Sequence, residues 1–238
     1  MTTVVTGFSP TGRIEYGERF LKTFEQFWPQ SVGLRVFVEE STSIPRKGER
    51  SLWSCPGLQS FIGRHRNDLR YTGMKPVSTW RPKDYDKGYS YRHDAVKFCR
   101  QCFIPEAAAS EFEDGEILVW LDGDVVTHTP VPEGFVESLI DGMDICYLGR
   151  INFHTELGFW AIRLSPRTRK FLADFAELWR SDMIFELREW HSAFAFDHML
   201  VLSDLKIRNL TPNGRGTVWM QSPLYKYTDH LKGRRKYV

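Results

Sequence analysis

Two aspartates separated by one glycine, Asp122-Gly123-Asp124, follow directly on the run Ile117-Leu118-Val119-Trp120-Leu121. Five consecutive apolar residues read as a strand buried on both faces, the kind found in the middle of a parallel sheet. Ligands of open α/β sheets sit beyond the carboxyl ends of such strands, so the acid pair stands where a site belongs. Two carboxylates held this close in a buried setting repel each other, and a cation removes that cost. Mg²⁺ or Mn²⁺ prefers oxygen ligands and keeps positions for phosphate oxygens. Gly123 is expected to give the backbone the freedom to aim both side chains at one point. The chemistry this implies is Lewis-acid stabilisation of a diphosphate leaving group.

An apolar strand running into Asp-x-Asp resembles the GT-A nucleotide-diphospho-sugar glycosyltransferases. That resemblance implies a single α/β domain, Rossmann-like, with a mixed, mainly parallel sheet flanked by helices. It also implies a nucleotide-sugar donor, a UDP-sugar such as UDP-glucose, and Mn²⁺ or Mg²⁺ held by Asp122 and Asp124. Tyr91-Arg92-His93-Asp94-Ala95-Val96-Lys97-Phe98 resembles the arginine-containing helix that precedes the metal strand in these enzymes, which would turn Arg92 and Asp94 toward the donor. Glu156-Leu157-Gly158-Phe159 resembles the glycine-containing turn that lines the sugar pocket. Asp197 resembles the acid on the following helix that meets the transferred sugar or the acceptor. His230-Leu231-Lys232-Gly233 is similar, at compressed spacing and without a following Lys-Pro-Trp, to a motif of the glycogenin-like family 8 enzymes. By that likeness His230 completes the metal shell, and Lys232, with Gly233 and Arg234, meets the diphosphate. Thr6, Gly7, Phe8 and Tyr16, at the end of the first strand, are expected to hold the donor base, with Tyr16 stacking on it. An inverting transfer needs a base for the acceptor hydroxyl, for which Asp197 ranks first, Glu156 second and Glu189 third.

The elements that must position these groups follow from periodicity. Val4–Phe8 and Leu34–Val38 read as strands around a helix from Tyr16 to Trp28, a βαβ unit that predicts parallel pairing. Further helices are expected over Leu58–Leu69, Tyr91–Phe103, Val136–Ile140, Arg167–Arg180 and Trp190–Leu202, with Ser165-Pro166 opening the fourth of these. Strands are expected at Asp144–Leu148, Gly158–Leu164 and Val218–Met220. Residues 41–88 read as an irregular basic insertion, apart from the Leu58 helix. Residues 224–238 read as a basic lid that folds over the donor.

Composition bounds the rest. The 238 residues carry a net charge of +2, 42% hydrophobic and 26% charged side chains, which suits one folded domain. The 14% of aromatic residues are expected to fill the core first. No run approaches the roughly 20 apolar residues of a membrane span, and Met1-Thr2-Thr3-Val4-Val5-Thr6 lacks the basic start of a signal peptide. Four scattered cysteines make no disulfide framework, so a cytoplasmic protein, monomeric or homodimeric, is expected. Cys99 and Cys102 read as thiols in a helix, because structural zinc takes four ligands.

Two acceptors fit. The stretch holding Arg46, Arg50, Trp53, Arg64, His65, Arg66, Arg70, Tyr71, Lys75, Trp80, Arg81 and Lys83 reads as a phosphate-tracking surface with stacking rings. A resemblance to the small base-J-type DNA glucosyltransferases and their phage relatives accompanies it, implying hydroxymethylated bases in double-stranded DNA as the leading acceptor. A saccharide, as in capsular or lipopolysaccharide synthesis, is the alternative. Readings from other classes are a metal-dependent phosphodiesterase on the same acid pair and a non-catalytic sugar-binding protein.

Overall fold

The structure is a computed structural model that describes residues 1–39, 48–74, 88–233 and 235. β1 (Thr2–Phe8) is buried along nearly its whole length and leads through a one-turn helix, α1 (Pro10–Gly12), and a π-helical turn, Arg13–Gly17, into α2 (Glu18–Phe27). The helix turns Phe20 and Phe24 inward, where their rings stack on each other and on Trp28. β2 (Val32–Val38) returns parallel to β1, as the βαβ pattern predicts. β3 (Glu49–Ser51) adds a parallel edge strand, and α3 (Leu58–His65) buries Leu58, Phe61 and Ile62. The described part of the 41–88 stretch therefore holds the helix expected at Leu58, ending at His65, and adds the strand β3 where irregular chain was expected. Arg46, Lys75, Trp80, Arg81 and Lys83 lie outside the described residues.

The helix expected over Tyr91–Phe103 is broken. A 3₁₀ turn, Tyr91–His93, meets Asp94, whose backbone is not helical and whose carboxylate caps α4 (Ala95–Phe98). α5 (Arg100–Ala109) follows and accommodates Pro105. β4 (Ile117–Leu121) is buried at every residue, between β1 on one side and β7 on the other. β5 (Val125–Thr127), α6 (Phe135–Ile140), β6 (Ile145–Arg150) and β7 (Phe153–Arg163) come next. α7 (Pro166–Arg180) starts with a capping box between Ser165 and Thr168 and with proline in its first turn. α8 (Ser192–Leu202), β8 (Ile207–Asn209) and β9 (Thr228–His230) complete the set.

The seven-stranded sheet has the order β3-β2-β1-β4-β7-β6-β8. β7 runs antiparallel to both its neighbours, and the other pairings are parallel, so the sheet is mixed and mainly parallel. Side-chain alternation along β4 divides the core. Leu118 and Trp120 join the layer formed with α5, α7 and α8, while Ile117, Val119 and Leu121 join the layer formed with α2 and α6.

Two tail expectations change. Val218–Met220 is not a strand: a 3₁₀ turn, Val218–Gln221, buries Val218 and Trp219. The tail's strand is β9, paired antiparallel with β5 so that His230 lies opposite Val125. Leu224, Thr228 and His230 are buried, which anchors the first half of the segment read as a lid. Among the described residues no helix is long and apolar enough to cross a membrane.

Candidate active site

The acid pair forms where β4 leaves the sheet. The Asp122 amide donates to the Gly158 carbonyl at 2.9 Å, and the Val125 amide donates to the Asp122 carbonyl at 3.0 Å, a tight turn that presents both side chains together. Gly123 is required here for space. A Cβ at this position would lie 2.2 Å from Phe8 Cε1, and its φ is not left-handed. The expected backbone role gives way to a steric one.

β9 brings the third group. Its pairing with β5 and the 3.1 Å bond from the Leu231 amide to the Asp124 carbonyl set His230 directly against the acids. His230 Nε2 lies 2.9 Å from Asp124 Oδ1 and 3.7 Å from Asp122 Oδ2. Asp122, Asp124 and His230 offer ligand atoms that all fall within 4.8 Å of one another. On the far side of the ring, His230 Nδ1 lies 3.5 Å from Glu156 Oε1 and makes no hydrogen bond. A β-bulge between β6 and β7 turns Glu156 into this position. Lys232 Nζ donates to Glu156 Oε2, and Arg150 Nη1 lies 3.7 Å from the same oxygen.

The electrostatics follow from burial and like charge. Burial, then the neighbouring Asp124 charge, pushes Asp122 up to about 6. Burial would lower His230, but the carboxylates of Asp124 and Glu156 on either side of the ring outweigh it and raise the imidazole to about 9. Burial would likewise raise Glu156, but His230 and Lys232 hold it well below the usual carboxylate range. Trp120 Nε1 and Gln101 Nε2 both donate to Asp122 Oδ1, at 2.8 and 2.9 Å, and so leave Oδ2 on the His230 side. Neither donor was marked by the sequence: Gln101 sits in the first turn of α5 and Trp120 reads as core.

A cavity of about 1050 Å³ opens over this cluster. Gly7, Phe8, Tyr16, Asp94, Glu156, Lys232 and Gly233 line it together with Asp122, Asp124 and His230. Other expected residues stand elsewhere. Thr6 is fully buried and does not line the cavity. Arg92 does not line it and pairs with Glu189 at 3.0 Å. Asp197 accepts from the Thr155 amide at 3.1 Å and from the Thr155 hydroxyl, and it does not line the cavity either. Arg234 lies outside the described residues.

Glu189, read as a third base, is 2% exposed and carries a second polar cluster. Its Oε2 meets His154 Nε2 at 3.1 Å and His191 Nε2 at 3.0 Å, while Oε1 meets Arg92 and, at 3.2 Å, Arg188. These ligand atoms also lie close enough to suit a metal, but the proton positions argue against one. His191 Nδ1 accepts from the Phe194 amide at 3.4 Å, which places its proton on Nε2, facing Glu189. Two arginines already neutralise the carboxylate. Burial is outweighed by bonds to Asp197 and Glu189, which raise His154 to about 9. His191 is lowered, chiefly by burial.

The fold has counterparts among solved structures. The chain is similar to mouse xyloside xylosyltransferase 1 in its apo form, with a TM-score of 0.50 and 11% identity over 94% of this chain and 91% of that one. It is also similar to the glycosyltransferase GlyE of Streptococcus pneumoniae, with a TM-score of 0.45 and 12% identity over 88% of this chain and 46% of that one. A third is a glycosyltransferase involved in the glycosylation of the major capsid of PBCV-1, with a TM-score of 0.44 and 12% identity over 99% and 98%. No protein-family profile and no curated protein matches the chain. The chain thus has a GT-A-like glycosyltransferase fold, a mixed α/β domain with a central, mainly parallel sheet.

Proposed function

We propose that this chain is a metal-dependent glycosyltransferase that moves a sugar from a nucleoside-diphosphate sugar, a UDP-sugar by the family resemblance, to a hydroxyl of a saccharide. One observation carries the reading. Two carboxylates and an imidazole converge at the carboxyl end of the central strand, on the wall of a cavity large enough for a nucleotide sugar. The donor set fits Mn²⁺ or Mg²⁺: oxygen-rich, with one imidazole whose second nitrogen faces a carboxylate, the usual companion of a metal-bound histidine. Bound there, the ion would supply Lewis-acid stabilisation of the diphosphate leaving group. Trp120 and Gln101 orient Asp122, and Glu156 orients His230. Lys232, on the cavity wall, supplies positive charge for phosphate oxygens. Phe8, at the end of β1, and Tyr16, in the π-helical turn that follows, line the cavity and are placed to meet the donor base.

Glu156 and Asp197 serve better as positioning residues than as bases. Glu156 is engaged by Lys232 and Arg150 and backs His230, and Asp197 stands off the cavity. The arrangement favours the retaining course, which uses no protein base. The acceptor reading also shifts. Among the described residues of the basic stretch, Arg50 is paired with Glu111, Arg64 with Asp182 and Arg70 with Asp68, which lowers the net positive charge offered to a DNA backbone. A saccharide acceptor is therefore preferred to a hydroxymethylated base in duplex DNA. A two-metal phosphodiesterase needs further free carboxylates, and Glu156 is taken by Lys232 and Arg150.

Thermal shift with UDP and MnCl₂, followed by UDP release from a panel of UDP-sugars, tests the assignment. Wild type is expected to melt higher with both ligands together, through linkage, and to release UDP. Asp122→Asn and Asp124→Asn are expected to do neither. An unchanged shift in both variants would remove the metal assignment.

A further inference from the structure

The cavity is larger than a donor needs. At about 1050 Å³ it stands at the top of the roughly 300–1,000 Å³ range for pockets that take one ligand. Away from the acids, its wall carries a line of rings. Phe153 lies 5.7 Å from His154, His154 lies 5.0 Å from His191, and His191 lies 5.5 Å from Tyr91, centroid to centroid. All four line the cavity. The two ends of the line are unusually open: Phe153 is 50% exposed and Tyr91 is 40% exposed. Leaving such side chains partly in water forgoes apolar burial, and here the open rings look into a cavity beside a candidate reaction centre.

The line is also held from beneath. The buried Glu189 carboxylate binds both imidazoles and the Arg92 guanidinium, and the Arg150 guanidinium sits 4.6 Å over the Phe153 ring. Rings fixed in this way cost a ligand little ordering.

We infer that this ring line, Phe153-His154-His191-Tyr91, is the acceptor subsite and takes a pyranose that stacks on it through its C–H face. The inference rests on the glycosyltransferase reading and adds the acceptor's place to it. A pyranose has an apolar face of C–H groups and a rim of hydroxyls. The Phe153 and Tyr91 faces carry negative charge density that attracts the C–H groups, and Lys97, on the same cavity, meets the rim. A flipped nucleobase needs a slot between two separated planes. Neighbouring rings in this line are tilted against each other by 48 to 66°, so no two of them form the parallel, separated planes of such a slot.

Saturation-transfer NMR on the intact protein tests this without donor. The probes are methyl β-D-glucopyranoside, methyl β-D-galactopyranoside, lactose and 5-hydroxymethyl-2′-deoxycytidine. At least one saccharide is expected to give ring C–H signals that fall at least fivefold in Phe153→Ala and in Tyr91→Ala. Both positions are exposed enough for the variants to fold, and the melting profile checks that they have. The UDP and MnCl₂ shift is expected to survive in both. Saccharide signals equal in wild type and variants, or none from any saccharide, overturn the subsite. Phe153-dependent signals from the nucleoside alone overturn it in favour of a base. Failure of the glycosyltransferase reading shows separately, as absence of the UDP and MnCl₂ shift in wild type.

Discussion

Gly158→Ala probes the positioning of His230 more directly than removal of the imidazole does. A Cβ on residue 158 would lie 2.5 Å from both His230 Cε1 and His230 Nδ1, and 3.2 Å from the Trp219 ring. Non-bonded carbon atoms settle near 3.5 Å, so the imidazole must move by about 1 Å. It has little room: His230 is 5% exposed, Trp219 packs on it at 5.0 Å, and β9 fixes its backbone. A 1 Å shift exceeds the roughly 0.2 Å tolerance of metal–ligand distances, and disturbed support of a ligand weakens metal binding about 10–100-fold. Overpacking of this kind costs about 1–3 kcal/mol, which for a chain of this length lowers the melting temperature by about 2–12 °C. The assay is a Mn²⁺ titration of the UDP-dependent thermal shift. Gly158→Ala is expected to need 10–100 times more Mn²⁺ than wild type. Gly63→Ala is the control, because a Cβ there meets nothing within 4 Å and the residue is inside α3. It should be neutral or stabilising by up to about 1 kcal/mol. A Gly158→Ala protein with wild-type Mn²⁺ dependence would refute the placement of His230 in the metal shell.

Further outcomes follow from the same geometry. Asp122→Asn, measured without metal at pH 8, is expected to melt higher than wild type, because burial and Asp124 disfavour the Asp122 charge above about pH 6; a lower melting point counts against the like-charge argument. His154 is raised to about 9 from an ordinary value near 6.5, so its stabilising contribution is complete below pH 6.5 and lost as pH rises through 9. The wild-type melting temperature should fall across that window, and His154→Asn should flatten part of the fall; parallel curves would exclude the contribution. Glu189→Ala leaves Arg92 and two imidazoles without their buried carboxylate and is expected to cost about 3–5 kcal/mol in urea denaturation, whereas a change under 1 kcal/mol would mean that the cluster does not hold the wall. Duplex DNA carrying hydroxymethylated bases should show no salt-dependent affinity; a steep loss of affinity from 50 to 200 mM salt would restore the DNA acceptor.

What could be read from the chain alone was what local patterns encode. The all-apolar β4, the βαβ opening and the Ser165-Pro166 helix start are contiguous signals, and each stands where the spacing places it. The Asp-x-Asp pair follows from them, since a strand end in a parallel sheet is a fixed place. Tertiary structure decided everything that depends on which strands meet. β9 pairs with β5, 105 positions away at His230 and Val125, and that pairing brings the imidazole to the acids. The bulge between β6 and β7 aims Glu156, and Phe8 decides why residue 123 is glycine. The His154-Glu189-His191 cluster joins a strand to the loop before α8 and has no spacing signature at all. Local pattern records the side-chain period of one segment, while a site of converging charges is made by the close approach of segments whose separation along the chain leaves no trace in that period.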